Sequence, residues 1–187
     1  MNPIEIISRF YNKKSKAFNI LIKHGNDVAQ KALEIAKRVS HLNPDIDFIQ
    51  EAAMLHDIGI FMTNAPDLGC TGQHPYICHG FLGRGLMDEI GLPDHGLVCE
   101  RHVGVGISAE DIKRQNLPLP VRDMLPISLE EKIICFADKF YYKSKIDSVE
   151  EGKEEQKIEN IKSALKAFGD ENVKRFQALL DLFMKHE

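Results

Sequence analysis

The sequence predicts an all-α fold. Apolar side chains recur at intervals of three and four residues through most of the chain, and no segment sustains the period-two alternation of a half-buried strand. Caps and breakers punctuate those stretches at Asn43-Pro44-Asp45, Gly91-Leu92-Pro93, Ser128-Leu129-Glu130-Glu131 and Gly169-Asp170. At 187 residues the chain has the length of one ordinary domain, 1–187, able to bury a core without disulfide support.

The opening stretch, 4–23, places Ile6, Ile7, Phe10, Phe18, Ile20, Leu21 and Ile22 around a polar Asn12-Lys13-Lys14-Ser15-Lys16 segment. It is predicted to be helical and to pack on the main body. From His24, the apolar residues Val28, Ala32, Ile35, Val39 and Leu42 step as one face of an amphipathic helix. His24 itself falls on that inward stripe, four residues before Val28. Pro44 is tolerated in a first helical turn, and the next helix carries Ile49, Ala52, Ala53 and His56 inward and is expected to stop at Gly59.

Residues 60–75, with Pro66, Gly69, Gly72 and Pro75, show no period and read as a loop. His79, Leu82, Leu86 and Ile90 predict a third helix, and Pro93-Asp94 opens a short fourth that carries His95, Val98 and His102. The stretch 103–127 holds two glycines, three prolines and a single plausible helical turn at Ser108-Ala109-Glu110-Asp111. A loop that long is usually functional. Because it leaves from His102 and returns to the helix bearing Asp138, it is expected to border the mouth of a site.

Ser128-Leu129-Glu130-Glu131 opens a helix with Ile133, Ile134, Phe136, Ala137, Phe140 and Tyr141, and Asp138 lies on its apolar stripe. The charged stretch 150–155 reads as a solvated face or linker. Two helices follow over 155–187, one with Ile158, Ile161, Leu165 and Phe168 on a stripe, the other with Val173, Phe176, Leu180 and Phe183.

Composition disfavours several classes of function. A net charge of −4, with Lys and Arg spread along the chain, offers no basic field for a polynucleotide. The four cysteines show no C-x-x-C spacing, the N-terminal residues show no signal-peptide pattern, and no apolar run approaches the roughly 18 residues of a membrane span. A cytoplasmic protein with reduced thiols is expected, its cysteines serving as small buried apolar groups.

The chemistry sits in the polar residues of the inward stripes. A lone histidine there is ordinarily a hydrogen-bonded core residue, and a buried carboxylate without a partner costs several kcal/mol (roughly). Four histidines and two aspartates, His24, His56, Asp57, His79, His102 and Asp138, occupy inward positions or ends of five predicted helices. All six are metal-ligand types, and helix bundles assemble metal sites from facing helices in this way. His41, His74 and His95 read as ordinary histidines, with His74, on the loop before the third helix, the first candidate for an exception.

The series His24, His56-Asp57-Ile58-Gly59, His79, His102 and Ala137-Asp138-Lys139 resembles the HD superfamily of metal-dependent phosphohydrolases, its HDIG subgroup in particular. The resemblance covers about residues 20–145. It implies an HD-domain helical bundle around one or two divalent ions, Fe or Mn being favoured and Zn, Mg, Co or Ni left open. His24, His56, Asp57 and Asp138 would hold the first ion; a second would share Asp57 and take His79 and His102. His56 and Asp57 would form the catalytic pair, a metal-bound hydroxide attacking phosphorus in a small phosphate ester or nucleotide.

Arg101 and Lys139, each beside a ligand, and Arg84 are candidates for contacts to substrate phosphate. The chain lacks the Gly-Tyr-Pro signature of the subgroup that opens cyclic di-GMP and the acidic pair of the alarmone hydrolases. Its ligand set resembles that of symmetrical dinucleoside polyphosphate hydrolases, which gives an alternative substrate. A nucleotide-sensing HD module without catalysis is the alternative function, and a homodimer is left open.

Overall fold

The computed structural model describes residues 1–141 and 154–184. Its helices run in the order α1 (Pro3–Phe10), α2 (Lys16–Arg38), α3 (Ile46–Leu55), α4 (His79–Glu89), α5 (Pro93–Arg101), α6 (Ala109–Gln115), α7 (Leu129–Asp138), α8 (Glu154–Lys166) and α9 (Asp170–Met184). A two-stranded antiparallel ribbon, β1 (Asn64–Ala65) with β2 (Cys70–Thr71), is the sheet among the described residues. The chain is all-α, as its periodicity requires. No helix among the described residues is long and apolar enough to cross a membrane.

The long helix α2 is the spine. It packs on α3 and α7, while α4 packs on α5 and on the 3-10 turn Ile58–Met62 that follows the His56-Asp57 pair. Leu21, His24, Val28, Ala32 and Ile35 of α2 are buried along one stripe. A main apolar cluster joins Val28, Ala32 and Ile35 of that stripe to Ile49 and Ala52 of α3, Ile133 and Phe136 of α7, and Phe176 and Phe183 of α9. Burying each large side chain of this set contributes about 1.5–3 kcal/mol.

Several element boundaries differ from expectation. The first break falls at Tyr11–Ser15 and not before His24, because Ser15 Oγ accepts the Phe18 amide at 3.1 Å and starts α2 at Lys16. His24 thus lies in mid-helix, where its backbone is fixed on both sides. Helix α3 ends at Leu55, leaving His56 as its C-terminal cap and Asp57 outside the helix. Gly59 is therefore no helix stop: a Cβ there would lie 2.2 Å from the His79 carbonyl oxygen, and its bare backbone is what lets α4 approach. The region 60–75 contains the β1–β2 ribbon as well as 3-10 turns. Within 103–127, a true capping box between Ser108 and Asp111 starts the seven-residue helix α6. The charged residues 150–153 lie outside the described residues, and Glu154 and Glu155 open α8.

One tyrosine fixes the turn after the His-Asp pair. The buried Tyr11 hydroxyl donates to the Ile58 carbonyl at 2.9 Å and accepts the Phe61 amide at 3.0 Å; burial raises its pKa above the ordinary phenol value. Tyr11→Phe leaves two backbone groups without that partner and should destabilise the fold by about 1–3 kcal/mol. Denaturant unfolding measures this, and an unchanged midpoint would refute the tie.

Candidate metal centre

Six side chains from separate parts of the chain meet at one point. His24 comes from mid-α2, His56 and Asp57 from just past the end of α3, His79 from the start of α4, His102 from the C-terminal cap of α5 and Asp138 from the last residue of α7. All are buried, with exposures of 0–6%.

The two oxygens of Asp57 face different partners. Oδ2 lies 3.4 Å from His24 Nε2 and 3.2 Å from His56 Nε2, and Asp138 Oδ1 closes that side at 3.0 Å from His24 and 3.5 Å from His56. Oδ1 lies 3.3 Å from Nε2 of both His79 and His102, which are themselves 3.2 Å apart. One carboxylate thus separates two donor sets.

The histidines are held with the same nitrogen inward. Nδ1 of His56 donates to the Ala53 carbonyl at 2.6 Å, that of His79 to Tyr76 at 2.7 Å, and that of His102 to Cys99 at 2.7 Å, each three residues back. A carbonyl only accepts, so Nδ1 carries the proton, and in a neutral ring Nε2 presents a lone pair. For His56 and His102 the accepting carbonyl belongs to a helix end, where carbonyls lack intrahelical partners. The helix termini therefore choose the tautomer, as carbonyls behind metal-binding imidazoles do.

Nε2 of His79 then faces Nε2 of His102, and Nε2 of His56 faces the Asp57 and Asp138 carboxylates, so in the neutral rings acceptor meets acceptor at these positions. His56 Nε2 is buried without a hydrogen bond among the described residues. Cations between the two sets resolve this arrangement. Without metal, protons take part of that role: burial opposes a charge on His56, but Asp57 and Asp138 outweigh it and hold its pKa at about 9. Burial, with His56 and His79 alongside, lowers His102 to about 3. The donor set of imidazoles and carboxylates fits borderline divalent ions. His24, His56 and Asp138 form one group whose ligand atoms are close enough to share an ion, and His56, Asp57 and His102 form another.

A cavity of about 460 Å³ opens on the centre, with His79, His102 and Asp138 in its lining. Lys139 lines it too. Its ammonium lies 2.7 Å from Asp138 Oδ2 and donates to the His102 carbonyl at 3.3 Å. The 103–127 stretch forms one wall through Val103, Gly104, Ile107 and Leu117, at the place expected of it. That wall has its own small core of Cys78, Ile107, Ile112, Leu119 and Met124. It is also tied to α9, because Asp111 pairs with Arg175 and the Gly106 carbonyl accepts from Arg175 at 2.7 Å.

Two expected substrate contacts are placed elsewhere. Arg101 pairs with the buried Glu131, at 2.8 and 2.9 Å to its two oxygens, and Arg84 pairs with Glu100 at 2.9 Å and Asp88 at 3.3 Å. Neither lines the cavity. Asp88 is a local i,i+4 partner of Arg84 on α4, whereas Glu100 and Glu131 are brought to Arg84 and Arg101 from other elements. His95 packs its ring edge on Phe48, His74 holds the ribbon through its backbone, and His41 is exposed, so none joins the centre. The four cysteines are free and buried. Sequence reasoning missed Tyr11, whose hydroxyl positions the turn, and Asn172, which lines the cavity from α9.

Residues 21–143 match the family described as HD domain, and the chain belongs to the HD superfamily of metal-dependent phosphohydrolases. An uncharacterized protein of Methanocaldococcus jannaschii is 32% identical over 128 residues, covering 67% of this chain and 68% of that protein. Two proteins named tRNA (cytidine(56)-2'-O)-methyltransferase are also similar. The one from Picrophilus torridus is 28% identical over 81% of this chain, and the one from Thermoplasma volcanium 31% over 68%. The match spans 40% and 33% of those two longer proteins. No solved structure matches.

Proposed function

We propose that the protein is a phosphohydrolase of a small phosphate ester or nucleotide, working with two divalent ions, iron or manganese. The observation that carries this reading is the division of Asp57: Oδ2 toward His24 and His56, Oδ1 toward His79 and His102. When bound, divalent ions would supply charge for phosphoryl oxygens and lower the pKa of water toward neutrality.

The chain's own residues supply the rest. Lys139 keeps an ammonium at the cavity floor, held by Asp138 and the His102 carbonyl, where it can meet a phosphoryl oxygen as charge develops. Ile107, Leu117 and Leu165 give the cavity dry walls, which strengthen each charge interaction inside. The carbonyls of Ala53, Tyr76 and Cys99 keep three imidazoles in fixed orientation, so these rings need not reorganise on the way to the transition state. The methyltransferase name of two relatives belongs to proteins much longer than the match. This reading rests on the site and takes a small molecule as substrate.

The test is elemental analysis of anaerobically purified protein, coupled to phosphate release from mononucleotides, dinucleoside polyphosphates and cyclic dinucleotides. Metal-dependent turnover of at least one class is expected. Full metal loading with no turnover of any class would favour a nucleotide-sensing module instead.

A further inference from the structure

We propose that helices α8 and α9, beyond the residues matched to the HD family, select the substrate by placing Phe168 opposite Tyr76 around a flat ring carried by a monophosphate ester. This rests on the hydrolase reading and names the class of substrate it would take. The matched residues end at 143, yet Leu165, Phe168 and Asn172 line the cavity that opens on His79, His102 and Asp138.

Among the described residues, two aromatic side chains are exposed, Tyr76 at 38% and Phe168 at 60%, and both line this cavity. They also both line a neighbouring cleft of about 600 Å³ that shares Asp138 and Lys139, so the pair stands where the two openings join over the centre. Their exposure is not explained by the helical pattern. Phe168 continues the stripe of Ile161 and Leu165, which are buried in the core, but it follows the end of α8 and stays out at the mouth.

Gly169, at φ 112, turns the chain there into α9. Tyr76 is anchored at the other side: its carbonyl orients His79, and its ring lies 4.7 Å from the His79 ring at 32°. A planar group against Tyr76 is therefore next to a metal-facing imidazole, with its phosphate directed at the centre. Asn172 completes the mouth. Its amide donates to the Phe168 carbonyl at 3.0 Å, which leaves Oδ1, on the Gly104 side, to accept an N–H or O–H of the ring. Stacking on aromatic faces suits any flat π-system and tolerates its substituents.

The test uses hydrolysis-resistant phosphonate analogues of adenosine monophosphate and of ribose 5-phosphate, titrated calorimetrically into the Mn²⁺-loaded full chain. Both bring the same phosphonate, but only the first has a flat ring. The adenosine analogue should bind roughly tenfold or more tightly than the ribose analogue. Phe168→Ala should remove most of that difference while leaving the ribose analogue unchanged, and Phe168→Trp should restore it. Phe168 is exposed, so its loss leaves the core intact. Equal affinities in the unaltered protein, or a preference that survives Phe168→Ala, would overturn the proposal. Absence of binding by both analogues would overturn the hydrolase reading, and this one with it.

Discussion

Asp57→Ala is expected to empty both donor sets at once and to lower turnover by on the order of 10³-fold or more, since loss of even one oxyanion donor in an active site costs about 10²–10³. The reason is geometric. Asp57 is the residue whose carboxylate reaches both His24–His56 and His79–His102, at 3.2–3.4 Å on either side. Removing it leaves four inward imidazoles with Asp138 alone to offset an ion's charge. His79→Ala, by contrast, takes one donor from the Oδ1 side and leaves His24, His56, Asp57 and Asp138 in place. Metal analysis of the two purified variants separates the cases. Asp57→Ala with wild-type loading would show that the carboxylate is not shared.

Gly59→Ala should be a severely damaging change despite its small size. Its Cβ would stand 2.2 Å from the His79 carbonyl oxygen and 2.5 Å from the Gly83 amide nitrogen, both backbone atoms of α4. Neither can rotate away. The helix must shift, and overpacking of this severity costs about 3 kcal/mol or more, lowering Tm by roughly 6–12 °C for a chain of this size. The shift also carries His79 away from Asp57 Oδ1, so the variant should lose metal from that side first. A Tm within about 2 °C of the parent, a difference worth under roughly 1 kcal/mol, would mean that α4 does not pack against Gly59 as described.

These two residues also show which parts of the structure were legible in the sequence. His24, His56, His79 and Asp138 could be placed inward by counting threes and fours, because helical periodicity is local and the apolar stripes around them are unbroken. The convergence of all six followed from their chemistry. Gly59 was read as a helix stop, since a glycine after an apolar run has that local meaning; its actual role depends on α4, which arrives twenty residues later. The placement of Arg84 against Glu100 and of Arg101 against Glu131 depends on packing in the same way. A surface-type residue beside a ligand is a fair candidate for substrate, but its true partner, Glu100 or Glu131, is fixed only by packing. Phe168 looked like core because it continues a stripe, and only the end of α8 and the turn at Gly169 bring it to the cavity mouth.

If Asp57 is shared between two ions, both should be visible crystallographically. Anomalous diffraction at the manganese edge from crystals of the Mn²⁺-loaded protein tests it directly. Two peaks are predicted, one among His24, His56, Asp138 and Asp57 Oδ2, the other among His79, His102 and Asp57 Oδ1. A single peak at saturating metal, with His79 and His102 turned to solvent or substrate, would contradict it.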